Sequence, residues 1–159
     1  MRHWLAWILL GASLARLMTL GVECYWYDES FTALISQLPF TNALQAVAGD
    51  VHPPLWYMIT WLVAHIAGSS SEFVLRLPAM AFGILSIYQV HLLVKAIRPD
   101  DKRLDIVSCL LMAVWPAQLY YSQEARMYTL LQWLVLFAVT SIIQRSWLRA
   151  GLGMSLLMY

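Results

Sequence analysis

The sequence predicts an all-α, polytopic membrane protein with about four complete transmembrane helices and an incomplete fifth. Of its 159 residues, 61% are hydrophobic and only 12% are charged, against roughly 45–50% and about 25% in soluble domains. The apolar residues gather into runs approaching the roughly 20 residues that cross a bilayer. Eight Trp and eight Tyr suit aromatic belts at the two membrane interfaces. A formal net charge of +1 leaves no basic excess to grip a phosphate backbone, so nucleic acid is excluded as a partner. Cys24 and Cys109 stand far apart without CxxC spacing, which indicates neither a disulfide framework nor a zinc site.

The first element runs from Trp4 to Val22. Arg2 ahead of an apolar run imitates a signal peptide, but no small-residue cleavage pattern follows, so a retained helix is expected. Residues 23–76 form a long loop with structure of its own. After Asp28, the residues Phe31, Leu34, Ile35 and Leu38 recur at i, i+3, i+4 and i+7, the stripe of a short surface-lying helix that Pro39 ends. A second short helix, opened by Thr41 or Asn42 as N-cap and closed by Gly49, precedes a turn at Asp50. Pro54 to Ala67 is apolar but has the length of an interfacial or re-entrant segment. The loop charges are read with that segment not crossing; a crossing would invert everything after it. The remaining spans are Leu77 to Ile97, Ile106 to Tyr121 and Met127 to Ile143. From Leu148 to Tyr159 another apolar helix begins and stops short, which reads as a fragment of a longer protein. Arg2, then Lys95, Arg98, Lys102 and Arg103, then Arg145 and Arg149 fall in alternate gaps, as cytoplasmic loops do. The other gaps therefore face outward, and the one from Glu23 to Pro53 carries Glu23, Asp28, Glu29 and Asp50 without one Lys or Arg.

Three polar groups lie in the outer gaps. Asp28 and Glu29 stand where a surface helix begins, as an N-cap pair or as a general base for an acceptor hydroxyl brought up from the aqueous side. Asp50 and His52 precede Pro53 and Pro54. The prolines preset a turn and a helix start, and a carboxylate two residues from an imidazole can bind a divalent cation or a phosphate. As a metal motif, two ligands are few. The third group is Tyr120 to Tyr128, where Glu124 and Arg126, flanked by Tyr121 and its neighbours, suit a charged headgroup. Arg16, deep in the first helix, either snorkels or meets an anion, and Arg76 anchors at the outer headgroups. His65 and His91 read as packed or interfacial.

Taken in order, WYDESF, DVHPPLWY, EFVLRLPAMAFG and YYSQEARMY resemble the GT-C glycosyltransferases of the protein O-mannosyltransferase type, with their bacterial relatives and the aminoarabinose transferases of lipid A. The resemblance extends from about Arg16 to Arg145. It implies an enzyme several times longer, of which this chain would be the N-terminal portion. It also implies transfer of a sugar from a polyprenyl-phosphate donor to a protein, lipid or glycan acceptor, with inversion, at the outer face of a membrane; a bacterial plasma membrane is the expected setting. By motif position, Asp28 would be the base and Glu29 its acidic neighbour. Asp50, His52, Arg76, Tyr121, Glu124 and Arg126 would bind substrate. His52 stands where aminoarabinose transferases carry a lysine near the lipid phosphate, and Val51 where they carry an acidic residue. That departure leaves Asp50 and His52 as the pair able to hold a metal ion. The competing expectation is a truncated, inactive membrane protein or partner-dependent subunit that at most binds lipid phosphate. A transporter would need more polar residues along its spans than Arg16 and His91 supply.

Overall fold

The computed structural model describes residues 3–50 and 52–158, and those residues are all-helical, with helices joined by short turns. Arg2, counted above with the cytoplasmic basic residues, Val51 of the DVHPP motif and the terminal Tyr159 lie outside the described residues. The elements are α1 (His3–Leu17), α2 (Tyr27–Gln37), α3 (Phe40–Ala48), α4 (Leu55–Ala67), α5 (Glu72–Ile97), α6 (Lys102–Val114), α7 (Pro116–Tyr121), α8 (Tyr128–Ile143) and α9 (Trp147–Leu157). Among them α5 alone is long and apolar enough to cross a membrane by itself, while α1, α4 and α8 are shorter apolar helices.

Helix α5 is the centre of the molecule and packs against α1, α4, α6, α7 and α8. It begins at Glu72, five residues before the expected start, and runs through Pro78. A proline there removes one N–H from the ladder early in a long helix, and the neighbours that bury Leu75 and Ala79 completely hold the helix together across it. On one side, Ile35 of α2, Val47 of α3, Trp56 and Tyr57 of α4, Ala79 of α5 and Leu130 of α8 share a core. On the other, Leu5 and Ala12 of α1 meet Ile87 of α5 and Cys109 and Met112 of α6.

Other elements also differ from those expected, each for a local reason. α1 stops at Leu17 and the chain then turns, so the helix is about 22 Å long at 1.5 Å per residue, short of the hydrocarbon thickness. The stretch 106–121 is two helices, because Trp115 is extended (φ −61°, ψ 124°) and Pro116 opens α7 as its first residue. The second short helix takes Pro39 as its N-cap, not Thr41 or Asn42, without a side-chain cap. Gly49 closes it as expected. Helix α4 ends on Gly68 in the left-handed region (φ 64°), whose N–H returns to Ala64 O, a conformation glycine adopts without a Cβ penalty.

The break at Pro116 also explains Arg16, which does not snorkel. It is fully buried, with Nη1 donating to Ala12 O at 3.1 Å and Nη2 donating to Ala113 O and Gln118 Oε1 at 3.2 and 3.3 Å. The interrupted α6 leaves its last carbonyls open, and a guanidinium at that negative end of the helix dipole is well matched. From Gln118 the polar chain continues to Gly83 O (2.8 Å) and to the Ser122 hydroxyl. Glycine at position 83 suits this approach, since a Cβ there would collide with the Ser122 hydroxyl. Gly83→Ala should lower stability by about 1–3 kcal/mol through overpacking, and adding Ser122→Ala should recover part of the loss; denaturant titration of the single and double variants in detergent checks this.

Candidate active site

Helix α2 begins at Tyr27, so Asp28 and Glu29 occupy its first turn and do not cap it; Trp26 is the N-cap, with no side-chain cap bond. Adjacent residues on a helix diverge by about 100°, and these two carboxylates go separate ways. Glu29 is completely buried. It forms a bidentate pair with Arg76, Nε to Oε1 at 2.8 Å and Nη2 to Oε2 at 2.7 Å, and Oε1 also accepts the Ala125 N–H at 2.6 Å. Arg76, expected at the headgroups, is instead buried, and it donates further to Leu20 O (3.1 Å) and Glu23 O (2.9 Å). One guanidinium thus joins α5, α2 and the turn after α1, while its carboxylate partner fixes the loop that carries Glu124 and Arg126. Tyr25 lies beside it, its ring centroid 5.7 Å from the Arg76 guanidinium carbon.

Asp28 faces the other way, with its side chain 37% exposed. Its nearest cation is Arg126, whose Nη2 stands 3.9 Å from Oδ2 and whose Nη1 donates to Asp28 O at 3.4 Å. Arg126 is only 3% exposed. The same Nη2 approaches His52 Nε2 at 3.3 Å. A guanidinium only donates, so His52 accepts at Nε2 and carries its proton on Nδ1, which faces Asp50 Oδ2 at 3.2 Å. Tyr57 donates its hydroxyl to the same Asp50 oxygen at 2.6 Å. Burial, then this bond to a carboxylate, pushes the Tyr57 phenol up to about 12, so it remains a donor across physiological pH. Four of the expected residues, Asp28, Asp50, His52 and Arg126, are therefore brought into one continuous cluster from α2, the turn before α4 and the loop before α8.

Glu124 is buried beside this cluster. Desolvation raises its carboxyl above the ordinary carboxylate range, against an opposing hydrogen bond from Tyr120. Glu124 Oε2 and Arg126 Nε have no hydrogen-bond partner among the described residues. Tyr121 lies apart from the cluster, half-exposed, with its ring 4.6 Å from that of Tyr128. Asp50 and His52 fit a metal ion poorly, because they offer two ligands and the Arg126 guanidinium donates to the imidazole's second nitrogen, which would have to carry the proton if Nδ1 bound a metal.

Sequence reasoning missed Tyr57, which reads as one more aromatic in an apolar helix. It also missed the Glu29–Arg76 pair. The available signal was two opposite charges in otherwise apolar surroundings, which must find each other if both are buried.

Neither the curated proteins nor the solved structures contain a match to this chain. The sequence profile described as dolichyl-phosphate-mannose-protein mannosyltransferase matches residues 51–159, a range that holds His52, Tyr57, Arg76, Glu124 and Arg126. It covers well over half of the sequence, and on that match the chain belongs to the dolichyl-phosphate-mannose-protein mannosyltransferase family, glycosyltransferases of the GT-C type.

Proposed function

We propose that the cluster around Arg126 is the reacting face of a membrane glycosyltransferase, in which a sugar passes from a polyprenyl-phosphate donor to an acceptor hydroxyl with inversion. The observation that carries this reading is Arg126 itself. Its guanidinium is buried between Asp28 and His52, yet Nε has no acceptor among the described residues. A buried, incompletely satisfied guanidinium suits a phosphate that accepts two parallel hydrogen bonds.

In the step we assign, Asp28 takes the proton of the acceptor hydroxyl as that oxygen bonds to the anomeric carbon. The bond from that carbon to the phosphate oxygen breaks, and the phosphate leaves with the bonding electron pair. A phosphate leaving group needs its charge stabilised more than it needs a proton, which Arg126 supplies. His52, Asp50 and Tyr57 are positioning residues: the phenol fixes the carboxylate, the carboxylate fixes the imidazole, and the imidazole fixes the guanidinium. Glu124, whose carboxyl burial raises and whose Oε2 has no hydrogen-bond partner among the described residues, would meet a hydroxyl of the sugar.

Two further features support an amphiphilic donor in a membrane. An apolar cavity of about 170 Å³ opens immediately after His52 and Arg126 in the sequence, lined by Pro53, Trp56, Met127, Leu130, Leu134 and Leu157, where the first isoprenoid units would lie. Large apolar side chains also turn outward along the helices, among them Trp7 and Leu14 of α1, Leu111 and Val114 of α6, and Leu131 of α8; faces of this kind suit lipid. We infer that the cluster faces outward, because the basic residues 95–103 lie at the far end of α5.

Arg126→Gln tests the reading. In membranes containing the protein, retention of a radiolabelled polyprenyl phosphate should fall by about 10- to 100-fold, as expected for losing one or two charge-assisted bonds. Retention unchanged by the substitution would remove Arg126 from the donor site.

A further inference from the structure

At the end of α5 remote from the candidate active site, a second group of reactive side chains faces inward, and the proposed transfer gives it no role. His91 and Lys95 stand one turn apart on α5, and Asp105 and Cys109 stand one turn apart on α6. His91, Asp105 and Cys109 are each withdrawn completely from solvent. His91 Nδ1 lies 2.8 and 3.0 Å from the two Asp105 oxygens, and Cys109 Sγ lies 3.8 Å from Asp105 Oδ1 and 3.9 Å from Ile87 O.

We propose that His91, Asp105 and Cys109 form a zinc-binding site that ties α5 to α6. One ligand atom from each residue falls within 4.8 Å of the other two. Zinc bonds of about 2.0–2.3 Å in a tetrahedron separate the ligand atoms by about 3.3–3.8 Å. The thiol and carboxylate are already at that separation, and a small rotation of the carboxylate lengthens its 2.8 Å contact with the imidazole into the same range. An imidazole, a carboxylate and a thiolate together form a borderline set that suits zinc and disfavours magnesium or calcium, which take oxygen ligands. Three protein ligands leave the fourth position to water. The Trp4 ring stands edge-on to the imidazole at 5.8 Å and helps close the site.

Charge and proton bookkeeping give the site a distinguishing property. Lys95 Nζ stands 3.5 Å from Asp105 Oδ2 and donates to Pro99 O at 2.6 Å, with 28% of its side chain exposed. In the metal-free protein this ammonium balances the carboxylate. When Zn²⁺ enters, Cys109 gives up its thiol proton to solvent, the imidazole proton moves from Nδ1 to Nε2, and Lys95 swings on its flexible stem toward water. Lys95 therefore competes with the metal.

Co²⁺ is the probe, with Zn²⁺ as competitor, added to the full chain in detergent. One equivalent of Co²⁺ should produce a thiolate-to-cobalt charge-transfer band that Zn²⁺ abolishes. Cys109→Ser should remove the band, and His91→Gln should weaken binding by at least about tenfold. Lys95→Met, which keeps all three ligands, should tighten it. Circular dichroism of each variant separates loss of ligation from loss of fold. No band at saturating Co²⁺ in the folded protein, a band that survives Cys109→Ser, or weaker binding by Lys95→Met would each overturn the site.

Discussion

Arg76→Met should destabilise the protein by about 3–5 kcal/mol, the loss expected when one member of a buried ion pair is removed and the other charge is left without compensation. Glu29 is completely buried, and among the described residues Arg76 is its cation in bidentate contact. The substitution also strips the carbonyls of Leu20 and Glu23 of their donor. Each such buried acceptor left unpaired adds to the cost. Arg76→Met combined with Glu29→Leu should be more stable than Arg76→Met alone, because no lone charge remains, although the Ala125 N–H then loses its acceptor. Chemical denaturation in detergent measures both. A loss below about 1 kcal/mol for the single variant, the range of exposed pairs, would mean that the pair does not hold these segments together.

Asp28→Asn should behave in the opposite way, sparing the fold and removing turnover. Its 3.9 Å ion pair and partly exposed side chain place it near the surface-pair range of stability effects. The amide keeps the size of the carboxylate but cannot accept the acceptor's proton, so kcat for sugar transfer should fall by about 10²- to 10⁴-fold, the usual contribution of a positioned base. KM for the donor should change little, because Arg126 and not Asp28 would hold the phosphate. Steady-state assays in membranes containing the protein, with insertion verified separately, would read both quantities. Near-normal kcat would remove Asp28 from the role of base.

Much of the site was legible because its residues occupy polar interruptions in an apolar sequence. Asp28, Asp50, His52 and Arg126 could be picked from the outer gaps, and the fold joins them through contacts of 3.2–3.9 Å. What could not be read was which of two adjacent carboxylates would be consumed by packing. Helical rotation gives Asp28 and Glu29 different faces, but the sequence does not say that α5 and the Ala125 N–H lie on the Glu29 side. The same holds for Arg16. Its depth in α1 was evident, whereas the Ala113 carbonyl that receives it is open only because Trp115 is extended ahead of Pro116. Helix lengths were overestimated where apolar composition continues through turns, as at 18–22, since hydropathy records the solvent around a segment and not its hydrogen bonding. The sequence does not join His91 to Cys109, because Asp105, their common partner, falls between the expected spans 77–97 and 106–121.

The anomeric configuration of the transferred sugar tests the central claim most directly. A single displacement, with Asp28 as base and the Arg126-bound phosphate as leaving group, inverts the anomeric carbon. Product formed from an anomerically defined polyprenyl-phosphate sugar by membranes carrying the protein, and resolved by NMR, should have the configuration opposite to that of the donor. Retention would require a covalent glycosyl-enzyme step and would contradict the role of Asp28 as general base.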